Sequence, residues 1–376
     1  MKRALIIFLI NEYHYMGEFS RRDSFGASNS FENFKYNEMK IVFRILFLSS
    51  FLLILFACNR NRLKVDISGI EKDVEIVRFD QELFEIPLQD TLAELEQLHD
   101  KYHDFFDLFS YKIINVGGIG DEYFPELMGE FLTDTMILNV NSDVEVEFSN
   151  FSKIEEQLNK AFKYYRYHFP DKEIPTIYTT VSGFNESVFT AEGIIGISLD
   201  KYLGQDYPYY QQLSNVPMYK IKNMHKEKLP SDVAYAWGLT EFDETEEITT
   251  VLDNIVHQGK LMYFTDALLP EMHDSLKIGY TEEQLQWCEN NEAEMWNYLV
   301  ENRMLYSNKR MDIIRYINDG PYTTGFPLES PARTGTWIGW QIVRQYMKKH
   351  EDVTLPQLMA NTDYQEILND SDYYPE

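Results

Sequence analysis

The chain has 376 residues, enough for about two average domains or one large one. Its 44% hydrophobic and 25% charged residues are ordinary globular values that provide for a core, and 15% aromatics argue against disorder. A net charge of −27 repels phosphate backbones and speaks against a nucleic-acid reader, while two cysteines exclude a disulfide framework and a cysteine zinc cluster.

In chain order, the first strong signal is the apolar run Ile41 to Ala57, broken only by Arg44 and the pair Ser49 and Ser50. Met39-Lys40 precedes it, and Leu55-Phe56-Ala57-Cys58 closes it before Asn59-Arg60-Asn61-Arg62. A basic start, an apolar stretch and a small residue before the break make a secretory signal. A Cys directly after that small residue resembles the lipobox of bacterial lipoproteins, which implies acylation of the Cys58 thiol and Cys58 as first residue of the mature chain. The alternative is a plain transmembrane anchor, for which the run is marginal, since spanning takes about 20 apolar residues.

Residues 1–38 then read as an over-extended start, 39–57 as the lipoprotein signal, 58–68 as a tether, and 69–376 as one domain. Removal of residues 1–57 takes away seven basic and five acidic side chains, which moves the charge from −27 to about −29. So acidic a chain gains little from anionic headgroups, and attachment falls to the acyl chains.

Within the mature chain, Asp73 to Phe79 reads as a strand with Val74 and Ile76 on one face. Thr91 to Phe109 places Leu92, Leu95, Tyr102, Phe105 and Phe109 at helical spacing. Ser152-Lys153-Ile154-Glu155 is a capping-box sequence opening a helix with Ile154, Leu158, Ala161, Phe162 and Tyr165 on one stripe and Pro170 beyond its end. Pro175 to Val181 and Gly193 to Leu199 read as strands, the second alternating Ile195, Ile197 and Leu199, with the turn Ser182 to Glu186 between them. The remainder predicts helices at about 214–227, 231–239, 246–268, 281–302, 309–318, 333–349 and 354–360. With no repeat and no Pro/Gly/Ser linker, the expectation is a single, mainly helical α+β domain with a small sheet.

The most inviting chemistry is Ile255-Val256-His257-Gln258-Gly259-Lys260-Leu261. A zinc-peptidase helix needs His-Glu-x-x-His, two imidazoles for the metal and a Glu to deprotonate its water. Gln258 stands in place of that base and Leu261 in place of the second imidazole; neither can do the work. At about 100° per residue, Ile248, Val251, Leu252, Ile255, Gly259 and Met262 share one face, with His257 and Leu261 nearly opposite. His257 is therefore expected on a polar face, where replacement costs within ~0.5 kcal/mol.

His99 and His103 are spaced one turn apart but lack a third ligand, which reads as a solvated face rather than a metal site. Cys288 sits on an acidic helix without a neighbouring His, unfavourable for a thiolate. Gly-x-Ser-x-Gly and phosphate-binding Gly loops do not occur. No catalytic, metal or cofactor residues are therefore assigned. The carboxyl-terminal third carries Gly320 to Gly325 and then Glu329 to Val343, in which Gly335 and Gly339 form a bare helical strip flanked by Trp337 and Trp340. Close core packing is expected there, with Glu329 and Arg333 able to pair at the helix start.

The sequence resembles the gliding-motility lipoprotein GldB family of the Bacteroidota in four segments. These are Arg78-Phe79-Asp80 with Leu83-Phe84; Phe184-Asn185-Glu186 through Gly196 to Gly204 and Asp206-Tyr207-Pro208; Gly259 to Tyr263 with Leu269-Pro270; and Ser330 to Arg333 through Gly339 to Val343, ending at Tyr373-Tyr374-Pro375. They span nearly the whole mature chain. The resemblance implies a lipid-anchored envelope protein, exposed outside the cytoplasm, that is needed for gliding and coupled to type IX secretion. Its partners would be other gliding and secretion envelope proteins, with no nucleic acid. It also implies a remote, degenerate zincin-like fold, from which Gln258 and Leu261 depart, so a non-catalytic protein is expected. A zinc peptidase and a glycan- or peptide-binding envelope protein are the alternatives.

Overall fold

A sheet only four strands wide divides the hydrophobic core in two. The computed structural model describes residues 61–376 except 72, 88–90, 214–215 and 244–247; residues 1–38, the 39–57 signal and Cys58 lie outside them. The strands are β1 (Ile76–Val77), β2 (Thr176–Thr180), β3 (Val188–Ala191) and β4 (Ile194–Ser198), in spatial order β1-β2-β4-β3. β1, β2 and β4 run parallel, and β3 pairs antiparallel with β4. The β3–β4 hairpin closes through Glu192-Gly193, where Gly193 has φ +69, a left-handed conformation that a residue without Cβ adopts at no steric cost.

Fifteen helices surround this sheet among the described residues. They are α1 (Phe79–Phe84), α2 (Thr91–Asp107), α3 (Phe124–Thr133), α4 (Thr135–Glu147), α5 (Ser152–His168), α6 (Met218–Ile221), α7 (Leu229–Glu241) and α8 (Val251–Leu268). After these come α9 (Asp274–Ile278), α10 (Glu282–Asn290), α11 (Glu292–Glu301), α12 (Arg310–Ile317), α13 (Thr334–Lys349), α14 (Leu355–Ala360) and α15 (Tyr364–Ser371). The fold is thus mainly helical α+β, and Arg62–Glu376 forms one compact unit. No helix among the described residues is long and apolar enough to cross a membrane.

One face of the sheet carries Tyr178 and Phe189 into an aromatic cluster with Phe79, Phe105, Phe106 and Phe109 from α1, α2 and the π-helical turn that follows α2. Tyr178 stacks on Phe105 with centroids 3.9 Å apart. The other face places Ile177, Ile195 and Ile197 in the larger core with α5, α7, α8 and α13. The expected stripe of α5 is buried along its whole length, as is the alternation Ile195, Ile197, Leu199.

Several boundaries differ from expectation for identifiable reasons. The first strand shrinks to Ile76–Val77, because Phe79 turns into the aromatic cluster and starts α1. The Ser152–Glu155 box does not form: Phe151 is the N-cap without a side-chain cap, and Asn150 Oδ1 accepts hydrogen bonds from the Ser152 amide at 3.2 Å and its hydroxyl at 2.6 Å, which satisfies one of the free amides of the first turn. The helix expected from 246 begins at Val251, where Thr250 and Asp253 make the reciprocal capping box. The 281–302 helix is two helices meeting at Asn291, and among the described residues of 214–227 only Met218–Ile221 is helical. α2 ends at Asp107, with a break at His103 (φ +36), and continues as a π-helix, Leu108–Ile113.

α8 runs through the centre of the unit with its residues buried except Asp253, Asn254 and Gln258, which are half-buried. It is buried nearly all round although it is not apolar all round, since His257, Lys260, Thr265 and Asp266 are enclosed with its apolar residues. α13 crosses it at Gly335 and Gly339, the bare strip read from the sequence, and both flanking tryptophans are buried.

Candidate functional site

Parallel strands in α/β sheets present ligands at their carboxyl ends, where successive loops diverge. Here the loops leaving β2 and β4 open onto a polar cleft of about 620 Å³. β2 leads into Ser182 to Ser187, and β4 into the 3₁₀ turn Leu199–Lys201. Asp200, fully buried, ties the two loops together: its carboxylate accepts from the Ser182 amide at 3.1 Å and the Phe184 amide at 2.5 Å. Burial raises its pKa above the usual carboxylate value, against the opposing pull of those two amides and of Lys201.

Lys201 turns the other way. Its ammonium, on the cleft wall, donates to the carbonyls of Phe184 at 3.1 Å and Asn185 at 3.3 Å. Burial lowers its pKa, and the charges of Asp200 and Glu186 only partly restore it. On the opposite wall Lys228 is ion-paired with Asp232, which also accepts from the Tyr202 hydroxyl at 2.9 Å. Arg333, at the start of α13, donates to the Ile278 carbonyl and lies 3.3 Å from Asp319. The expected Glu329–Arg333 pair is thereby corrected, because Arg333 is left-handed (φ +58) and its guanidinium points to Asp319.

Backbone strain concentrates at this cleft. Asn115 (φ +56), Phe184 (φ +64) and Arg333 (φ +58) all line it. Left-handed conformations at non-glycine residues cost of order 1–3 kcal/mol each and persist only where surrounding contacts hold them. At Phe184 the holding contacts are visible: its amide is bound by Asp200 and its carbonyl by Lys201.

The residues singled out for chemistry on α8, His257, Gln258 and Leu261, are not among those lining the cleft. His257 is only 5% exposed, so its expected place on a polar face is wrong. Both sides of α8 are covered, by α13 and α15 among others, and helical periodicity cannot show a second buried face. The His257 ring meets Tyr364 edge-on at 6.4 Å, Leu261 is fully buried, and Gln258 accepts a hydrogen bond from the Tyr235 hydroxyl. His257→Ala is accordingly expected to empty a packed site and cost roughly 2 kcal/mol, as buried truncations do. Thermal denaturation checks it; an unchanged melting temperature would show that the site collapses without penalty.

His99 and His103 sit edge-on at 6.2 Å beside the α2 break, with His99 Nε2 3.4 Å from Asp107. Among the described residues no group of three His, Cys, Asp or Glu side chains is placed to hold a metal ion. Cys288 is fully buried, and burial pushes its thiol pKa up. Composition and spacing left the cleft unnoticed, because Lys112, Lys201, Lys220 and Arg333 are scattered along the chain. One signal did touch it: Phe184-Asn185-Glu186, Lys201-Tyr202 and Arg333 belong to the segments of family resemblance.

The family model described as gliding motility protein GldB matches residues 60–375. No curated protein and no solved structure matches the chain.

Proposed function

The chain belongs to the gliding motility protein GldB family, and from that premise we propose that it is a lipid-anchored envelope protein supporting gliding and the associated type IX secretion machinery through protein contacts, without catalysis. The observation that carries this reading is the family match, which extends over nearly all of the compact unit. The packing of α8 supports the non-catalytic part. Where a zinc-peptidase helix would present its ligands to substrate, Tyr235 and Tyr364 contact Gln258 and His257, and Leu261 is sealed in the core. A degenerate zincin ancestry remains compatible with a parallel β segment preceding that helix.

Deleting the gene and scoring colony spreading and secretion tests the reading; normal spreading with normal secretion would overturn it. Stoichiometric zinc in the purified protein would instead favour the peptidase. The anchor rests on one atom, the Cys58 sulfur, which places the domain in the cell envelope outside the cytoplasm. Cys58→Ser is expected to abolish palmitate labelling and leave the protein retained by its uncleaved signal or mis-sorted. Persistent labelling would remove Cys58 from this role.

A further inference from the structure

Acidic side chains outnumber basic ones 61 to 34 in this chain, so an ammonium group on its surface has carboxylates in ample supply. Three lysines around the polar cleft nevertheless have no ion-pair partner among the described residues: Lys112 and Lys220, exposed at its rim, and Lys201, buried in its wall. The cleft's other cations, Lys228 and Arg333, are matched by Asp232 and Asp319. Glu186 is the one further acid lining it, leaving a local excess of positive charge.

Lys201 makes the point most sharply. An ammonium has three donors; two go to the Phe184 and Asn185 carbonyls, and the third has no protein acceptor among the described residues. Asp200 and Glu186 offset its charge from a distance, but its direct partners are two neutral carbonyls, and a buried ammonium without a carboxylate in contact is costly. Yet the loop that accepts from it is held in a left-handed conformation at Phe184 by Asp200 behind it. The chain's overall negative charge does not cancel this excess, because charges more than about 8 Å away are largely screened at physiological salt.

The geometry points to an oxyanion-binding site in this cleft: a carboxylate or phosphate, carried by a ligand of cleft size or by a partner's acidic segment, accepts from Lys201 and is flanked by Lys112 and Lys220. The inference is independent of the proposed role in gliding, since a contact protein could have or lack such a site. The full chain in detergent is titrated calorimetrically with inorganic phosphate and, separately, with a triglutamate peptide. Saturable binding of at least one probe is expected, weakening with salt. Tighter binding of phosphate identifies a phosphate-bearing ligand, and tighter binding of triglutamate an acidic peptide.

Lys201→Met is expected to weaken binding roughly tenfold or more, the loss of one charge-assisted hydrogen bond. The double variant Lys112→Glu with Lys220→Glu, confined to exposed side chains, is expected to weaken it similarly at an unchanged melting temperature. No saturable binding of either probe overturns the inference. So does binding that the double variant leaves intact, because the anion would then sit elsewhere.

Discussion

Gly339→Ala is expected to destabilise the protein by about 3 kcal/mol or more, the upper end for overpacking, although one methyl group is all it adds. A Cβ at Gly339 would stand 1.6 Å from the Ile255 carbonyl oxygen and 2.5 Å from its carbon. Both atoms are backbone of α8, so no rotamer change relieves the clash. The contact is reciprocal: a Cβ at Gly259 would stand 2.2 Å from the Gly339 oxygen. Alanine's better helix propensity, about 1 kcal/mol, works in the opposite direction and is outweighed. α8 and α13 would have to move apart, opening the core around Trp337 and Trp340. Gly339→Leu is expected to be worse, with little folded protein. Denaturant unfolding of Gly339→Ala measures the cost, and a value near zero would mean that the two helices separate freely.

The second large effect is at Asp266, near the carboxyl end of α8. Its side chain is 4% exposed and lies 2.6 Å from Lys277 Nζ and 2.8 Å from Arg344 Nε. It also accepts from Trp340 Nε1 at 2.8 Å, while the Arg344 guanidinium stacks on the Trp340 ring at 3.8 Å. Lys277 is as buried as its partner. Asp266→Ala would leave that ammonium with only Asp274, at 3.5 Å, and strand the indole N–H. Breaking a buried pair from one side typically costs 3–5 kcal/mol. We expect a loss in that range, and expect Asp266→Ala combined with Lys277→Met to recover part of it. Failure of the second substitution to recover stability would show that Trp340 and Arg344, rather than the stranded charge, dominate.

The same network gives the protein an acid limb. Burial alone would raise the Asp274 pKa, but the hydrogen bonds and charge of Arg344, aided by Lys277, hold it below the usual carboxylate value. A group depressed in the folded state contributes fully above its unfolded pKa, about 3.9. That contribution is lost as pH falls through the folded value. Asp274→Asn should therefore flatten the stability profile below about pH 4.

The amino-acid order by itself determined the elements whose signal is local. Ile154, Leu158, Ala161, Phe162 and Tyr165 share a stripe because helix geometry alone decides which residues face together, and all five are buried. Gly335 and Gly339 marked a close approach for the same reason, and the family resemblance read from the sequence agrees with a family match over residues 60–375. Tertiary structure alone decided what depends on a second surface. Periodicity assigned α8 one buried face, yet His257 and Leu261 on the other are buried too, because α13 and α15 close over a helix whose pattern names no neighbours. β3 exists through its pairing with β4, and Arg333 meets Asp319 rather than Glu329 because of a left-handed turn. The polar cleft belongs to the same class: Lys112, Lys201 and Lys220 become neighbours only when a sheet brings distant loops to one edge, and spacing along a chain carries no record of that.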